Sequence, residues 1–96
     1  MLNEKIKSLR TARGISQIEL ANVLGVTKQC VSNWENDNIQ PSIEMLIKLS
    51  SFFKVTTDYL LGLDERQFLC VEGLTEQQIV HLSLIVHDLT EKPLNQ

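Results

Sequence analysis

The segment over residues 16–35, SQIELANVLGVTKQCVSNWE, most constrains the fold, because three of its residues are spaced as in two helices joined by a tight turn. Ala21 precedes Gly25 by four positions, and Val31 follows Gly25 by six. Helices joined by three or four residues cross steeply, so a small side chain such as Ala21 is needed where they come closest. Gly25 can take the left-handed conformation that ends the first helix. The segment therefore predicts a helix-turn-helix unit.

The second helix of this unit has an apolar inner face and a polar outer face. Thr27 can cap it by accepting a hydrogen bond from a backbone N–H near Gln29 or Cys30. The inner faces of the two helices comprise Leu20, Leu24, Val31 and Trp34. In the DNA major groove, lysine can donate to guanine, and glutamine can pair bidentately with adenine. The predicted base contacts are therefore the outer residues Lys28, Gln29, Ser32 and Asn33.

The surrounding sequence contains further motifs in a characteristic order. They are LRTARGISQIELA, LGVTKQCVSNWEN, QPSIEMLIKLSSFFKV and DYLLG, all within residues 6–62. In this order and spacing they resemble the phage-repressor or Cro type of helix-turn-helix domain (the XRE family), which occurs in bacterial and phage transcription regulators. The resemblance implies an all-α, five-helix DNA-binding domain over residues 1–62, with double-stranded DNA as its partner.

Local helix signals agree with five helices in this region. Gly14 can end a first helix over residues 2–13, and Ser16 with Glu19 forms a capping box for the second. Ser42 can cap a fourth helix, and Gly62 can end a short fifth helix that begins at residue 56 or 57. The third and fourth helices are predicted over residues 28–36 and 43–53. The fourth should bury Met45, Leu46, Leu49 and either Phe52 or Phe53.

The resemblance also implies roles for residues outside the second helix of the unit, which we call the recognition helix. Gln17 matches a glutamine that contacts a DNA phosphate, although a solvated first-turn residue is the alternative. Arg10 and Glu35 match an Arg–Glu pair that ties the recognition helix to the scaffold, and Arg10 is long enough to reach a phosphate as well. The remaining predicted phosphate contacts are Thr27, Asn36 and Asn38.

The loop after the recognition helix departs from the family pattern. Many members have glycine and basic residues there, whereas this chain has Asp37, which would repel a phosphate. Residues 1–62 contain seven basic and six acidic side chains, a balance of +1, and residues 63–96 contain two and six, a balance of −4. Because phosphate neutralisation supplies most non-specific affinity, a single copy should bind DNA weakly, with a shallow salt dependence.

Residues 63–96 lie beyond the family pattern. Residues 64–67 form a polar linker, residues 68–71 are a possible short strand, and Thr75 with Gln78 opens a C-terminal helix. That helix is apolar over more than half its circumference, so we expect cover from its own five-helix domain and from a second copy of the chain. The alternatives are a helix folded onto one globule, and strand pairing between two copies. The predicted dimer interface is Leu69, Val71, Ile79, Leu82, Ile85, Val86 and Leu89.

Other functional classes have little support in the sequence. No run of eighteen apolar residues indicates a membrane span, and no glycine-rich phosphate loop or metal-ligand spacing is present. His81 and His87 are six positions apart on one helix and point in different directions. Cys30 and Cys70 are too few for a disulfide scaffold. We therefore predict a cytoplasmic protein with reduced thiols, without cofactor, metal or enzymatic activity.

The sequence thus predicts a sequence-specific transcription regulator, a repressor that binds an inverted-repeat operator as a homodimer. One alternative is an antitoxin whose tail holds a toxin. Another is a protein-interaction module that has lost DNA binding, such as an antagonist that pairs with a related repressor. The modest basic balance and Asp37 favour this last alternative. A protein antagonist is a further candidate partner of the repressor itself.

Overall fold

The computed structural model describes residues 1–90, and all the regular structure in that range is helical. Its six helices are α1 (Leu2–Ala12), α2 (Gln17–Leu24), α3 (Lys28–Glu35), α4 (Ile43–Phe53), α5 (Thr57–Leu61) and α6 (Glu76–Thr90). The prediction of an all-α fold is confirmed, with helix ends within one residue of those expected. The recognition helix is α3.

Side-chain caps set the helix boundaries as the sequence predicts. The Ser16 hydroxyl accepts from the backbone N–H of Glu19 at 3.0 Å, and the Glu19 carboxylate accepts from the N–H of Ser16 at 2.9 Å. Gly25 ends α2 in the left-handed conformation, with φ of 75°. Lys54 takes the same conformation after α4, with φ of 55°. A side chain there costs about 1–2 kcal/mol, so α4 ends less favourably than α2.

The hydrophobic core lies among α1 to α5. Ala21 is buried where α2 meets α3, as its size predicts. In α4, Leu49 and Phe53 are buried, whereas Met45 and Leu46, which we expected in the core, are only half-buried. The fully buried side chains come from all five helices and are Ile6, Leu20, Val31, Leu49 and Leu60. The core therefore closes within this five-helix domain.

Residues 68–71 form no strand within the single chain, and their predicted pairing with the same segment of a second copy stays a prediction. A strand needs a neighbour to complete its hydrogen bonds, and no other segment of residues 1–90 is extended beside them. Phe68, Leu69 and Cys70 of this segment line a cleft with Lys54 and Val55 of the five-helix domain. Phe68 and Leu69, together with Val71, also line a groove with α6. No residue of α6 is buried, so the expectation that the five-helix domain covers α6 is wrong.

The linker before this segment is fastened to the five-helix domain. The Lys5 ammonium donates to both carboxylate oxygens of Glu65 at 2.7 Å. The same ammonium lies 4.3 Å from the centre of the Tyr59 ring, a cation–π contact. These contacts join the linker to α1 and α5.

Candidate nucleic-acid interface

One face of the recognition helix is buried against the core, and the other face is at least partly exposed to solvent. Val31 and Trp34 are buried against the five-helix domain. The Thr27 hydroxyl accepts from the backbone N–H of Cys30 at 3.2 Å, which fixes the first turn. Of the four predicted base contacts, the first two are exposed and the last two half-buried; in chain order they are Lys28, Gln29, Ser32 and Asn33. The geometry thus brings all four to one outward face.

A buried ion pair fixes the far end of the recognition helix. Arg10 donates from Nε to Glu35 Oε2 at 2.6 Å and from a terminal nitrogen to Glu35 Oε1 at 3.0 Å. A third Arg10 donor reaches the backbone carbonyl of Ile15 at 2.8 Å. The Glu35 side chain is only 2% exposed. Arg10 and Glu35 therefore form the pair that the resemblance implied, and it joins α1 to α3.

Gln17 takes part in the same cluster, which the sequence interpretation missed. Its side-chain amide donates to Glu35 Oε1 at 3.0 Å, so α2 is also joined to α3. The residue is therefore neither a purely solvated first-turn residue nor a side chain reserved for phosphate. Its second amide proton and its backbone N–H at the start of α2 can still donate. Nothing in the spacing of residues 17 and 35 indicates this contact, which depends on how the helices cross.

The cluster stays ionised because its hydrogen bonds outweigh the effect of burial. Burial acts to raise the pKa of Glu35, but hydrogen bonds from Arg10 and Gln17 hold that pKa below its usual value. The hydrogen bond to Glu35 in turn raises the pKa of Arg10. Three of the five Arg10 N–H donors are turned inward and the side chain is 12% exposed, so the predicted phosphate contact would use the two that remain and stays a prediction. The observed contacts of Arg10 join α1 to α3.

The outer face of α3 has its own hydrogen bonds. The side-chain amide of Gln29 donates to Asn33 Oδ1 at 3.0 Å. One turn later, the Asn36 amide donates to Ser32 Oγ at 3.3 Å. Each pair is separated by four residues, the distance at which side chains meet on a helix. This spacing is visible in the sequence and could have indicated both contacts.

The loop after α3 ends the helix with two backbone hydrogen bonds. The N–H of Asn38 donates to the carbonyl of Asn33 at 2.9 Å, and that of Asp37 donates to Trp34 at 3.3 Å. This is the Schellman arrangement, which usually has glycine at its left-handed position. Asp37 holds that position, with φ of 58°. Asn36, Asp37 and Asn38 are all exposed, so the loop presents two amides and one carboxylate to any ligand of α3.

Other kinds of site have little basis in the part of the chain that the structure describes. Among residues 1–90, no three His, Cys, Asp or Glu side chains are grouped so that they could bind a metal ion. Cys30 and Cys70 are free thiols. No helix between residues 1 and 90 is long and apolar enough to cross a membrane. The polar face of α3 is thus the best-defined candidate site.

Comparison with known sequences identifies the family. The sequence model of the helix-turn-helix family matches residues 6–60, more than half of the chain, so the chain belongs to this family. The HTH-type transcriptional regulator ImmR of Bacillus subtilis is 41% identical over 64 residues, which cover 67% of this chain and 50% of ImmR. The match spans 63%, 50% and 31% of the length of three such curated relatives.

Comparison with solved structures shows that the similarity includes the fold. The c2 repressor of Salmonella phage P22, crystallised with a synthetic operator, matches with a TM-score of 0.63 and 33% identity. That match covers 67% of this chain and 97% of the repressor chain. A structure of the SinR protein/SinI protein complex matches with a TM-score of 0.61 and 27% identity, over 95% of this chain and 100% of that one. The second match extends beyond the five-helix domain into the tail.

Proposed function

We propose that this chain is a sequence-specific DNA-binding transcription regulator, a repressor that acts as a homodimer on an inverted-repeat operator. The observation that carries the proposal is that α3 is held by the domain on its inner side and presents polar groups on its outer side. The Arg10–Glu35–Gln17 cluster and the core fix its inner side, while its outer side presents polar groups. Because its ligand is DNA, we assign its site of action to the cytoplasm of the cell that contains the operator.

The outer side chains have the chemistry to read base edges. The exposed ammonium of Lys28 can donate to guanine O6 and N7, and the exposed amide of Gln29 can pair with adenine N6 and N7. Ser32, one turn further along, can donate or accept at either base. A recognition helix enters the major groove with its N-terminal residues, and both Lys28 and Gln29 lie in the first turn of α3.

Phosphate contacts are assigned to groups that surround the recognition helix. At the N-terminus of α2, the backbone N–H and the second amide proton of Gln17 are suited to an anion. The Thr27 hydroxyl accepts from Cys30 with its oxygen, so its proton can be donated to a phosphate. Asn36 and Asn38 are exposed in the loop that follows α3. All of these donors are neutral, which accounts for the shallow salt dependence that we expect.

We assign dimerisation to the tail, because its apolar surface is left uncovered. The groove between residues 67–71 and α6 has a volume of about 520 Å³. On α6, Leu84 is 59% exposed and Leu89 is 78% exposed. A second copy would cover this surface and set two recognition helices on half-sites about 34 Å apart. The interface would comprise Leu69, Val71, Ile79, Leu82, Ile85, Val86 and Leu89.

We prefer a regulator to an antitoxin, because ImmR, at 41% identity, is a transcriptional regulator and the P22 c2 protein, at 33%, is a repressor. A protein antagonist is compatible with this function. It would compete with the second copy for the tail groove, which is apolar and lies away from α3. A partner of this kind would release the operator by separating the dimer.

A selection from random DNA tests the proposal. The full chain is incubated with a pool of duplexes that contain a randomised central segment, and bound DNA is recovered, amplified and sequenced. We expect an inverted repeat whose half-sites are centred about 10 base pairs apart. The double variant K28A/Q29A, matched in fold by circular dichroism, should enrich no motif. A folded wild-type chain that enriches no motif would refute DNA recognition and favour the protein-interaction module.

A further inference from the structure

We propose that Asn33 is a positioning residue that orients the Gln29 amide for adenine, and that it does not read a base itself. This inference rests on the proposed function and corrects the base contact that the sequence indicates for Asn33. Its starting point is the 3.0 Å hydrogen bond from Gln29 Nε2 to Asn33 Oδ1. The two residues differ in exposure, since Gln29 is exposed and Asn33 half-buried.

The hydrogen bond to Asn33 determines which donor and acceptor of the Gln29 amide remain available to a ligand. A glutamine amide has two N–H donors and one carbonyl acceptor. One donor is occupied by Asn33, so one donor and the acceptor Oε1 remain for a ligand. This pair complements adenine, which presents the N7 acceptor beside the N6 donor in the major groove. Guanine presents two acceptors there, so its O6 would face the amide oxygen of Gln29.

Asn33 itself is committed on both its side chain and its backbone. Its Oδ1 accepts from Gln29, and its backbone carbonyl accepts from the N–H groups of Asn38 and Ile39 at 2.9 and 3.3 Å. The loop after α3 therefore fixes the backbone of Asn33, and the Asn33 side chain in turn restricts Gln29. Without this contact, Gln29 would lose its rotamer freedom only on binding DNA, a cost that corresponds to about a two- to tenfold loss of preference.

The test measures base preference for variants of the full chain with the same random DNA pool. The relevant base pair is the one at which Q29A abolishes the wild-type preference. We expect N33A to lower the adenine preference at that pair about two- to tenfold, and to cause no further loss when Q29A is already present. In N33D the carboxylate still accepts from Gln29, so the preference should persist while affinity for all sequences falls. N22A, an exposed substitution on α2, should match wild type.

Each other outcome has a distinct meaning. If N33A changes the preference at a different base pair, Asn33 reads a base and the inference is wrong. If N33A leaves every preference unchanged, or acts equally with and without Gln29, the hydrogen bond has no positioning role. If the wild-type chain enriches no sequence at all, the proposed function itself fails, and the inference fails with it. The wild-type selection therefore separates the two failures.

Discussion

The five-helix domain and the tail use apolar residues in opposite ways. In the domain, each of the five helices contributes a fully buried side chain to a single core. In the tail, α6 is three times as long as α5, with 15 residues against 5, yet none of its residues is buried. The domain completes its own core, whereas the tail presents an apolar groove to its surroundings.

The difference shows that helix formation and helix burial are specified separately. The capping box of α6 is complete, since Thr75 and Gln78 exchange hydrogen bonds at 3.0 and 3.1 Å. Local signals therefore start α6 as effectively as they start α2. Burial needs a second surface, and within residues 1–90 the segment over residues 68–71 only lines a groove beside α6, which has no buried residue. A second copy of the chain is the cover that we propose for the rest.

The largest expected effect is a difference in stability between two leucine-to-alanine variants, one in the core and one in the tail. L49A removes a fully buried side chain and should lower the free energy of unfolding by about 3 kcal/mol or more, because a cavity remains. L84A removes a side chain that is 59% exposed and should change the stability of the five-helix domain by less than about 0.5 kcal/mol. Urea denaturation followed by Trp34 fluorescence measures both. Equal losses would mean that α6 belongs to the core.

A smaller effect is expected from the ion pair behind the recognition helix. R10A leaves the Glu35 carboxylate buried without its cation and should cost about 2–3 kcal/mol, below the 3–5 kcal/mol of a fully buried pair because Glu35 can take up a proton. DNA binding should weaken as well, because α3 loses its connection to α1. E35A should have a similar effect, and the double variant less than the sum. Strict additivity in urea denaturation would show that the two residues are not coupled.

The same pair predicts that the stability of the fold depends on pH in the acidic range. The pKa of Glu35 is lower in the folded chain than its ordinary value of 4.5. A carboxyl of this kind stabilises the fold above its unfolded pKa, and that contribution is lost as the pH falls through the folded pKa. Unfolding free energy should therefore decrease below about pH 4.5. The side chain at position 35 cannot titrate in E35Q. If the unfolding free energy of E35Q falls with pH as steeply as that of wild type, the effect belongs to other carboxyls.

The smallest effect concerns the loop after α3. D37N removes a negative charge near the proposed phosphate contacts and keeps a residue that tolerates the left-handed conformation. Affinity for all sequences should rise about two- to fivefold at low salt, the scale of one exposed charge interaction. D88N, on α6, is the matched control and should not change affinity. If D37N also leaves affinity unchanged in a fluorescence-anisotropy titration, the loop does not approach the DNA backbone.

The sequence was sufficient for features that depend on neighbours along the chain. Ser16, Thr27 and Ser42 cap helices because a hydroxyl three residues before a backbone N–H can reach it. Ala21 and Gly25 indicated the crossing and the turn for reasons of size and backbone freedom. The family pattern supplied the Arg10–Glu35 pair, which local signals do not show.

The features that could not be predicted depend on how distant segments meet. The Gln17–Glu35 hydrogen bond joins residues 18 apart and requires the crossing of α2 and α3 to be known. Residues 68–71 have strand-forming side chains, but a strand also requires a partner, and composition does not reveal one. The expectation that the five-helix domain covers α6 was wrong for the same reason, since contact between α6 and a distant surface does not follow from local signals, and no α6 residue is buried.

The central claim, that the domain folds alone while the tail joins two copies, is tested most directly by analytical ultracentrifugation at micromolar concentration. The full chain should sediment as a dimer. Residues 1–62 should sediment as a monomer that retains its helical circular dichroism, and the full-length variant I85D should also be monomeric. A dimeric 1–62 fragment would place the interface in the five-helix domain, and a monomeric full chain would leave α6 without the partner that we propose.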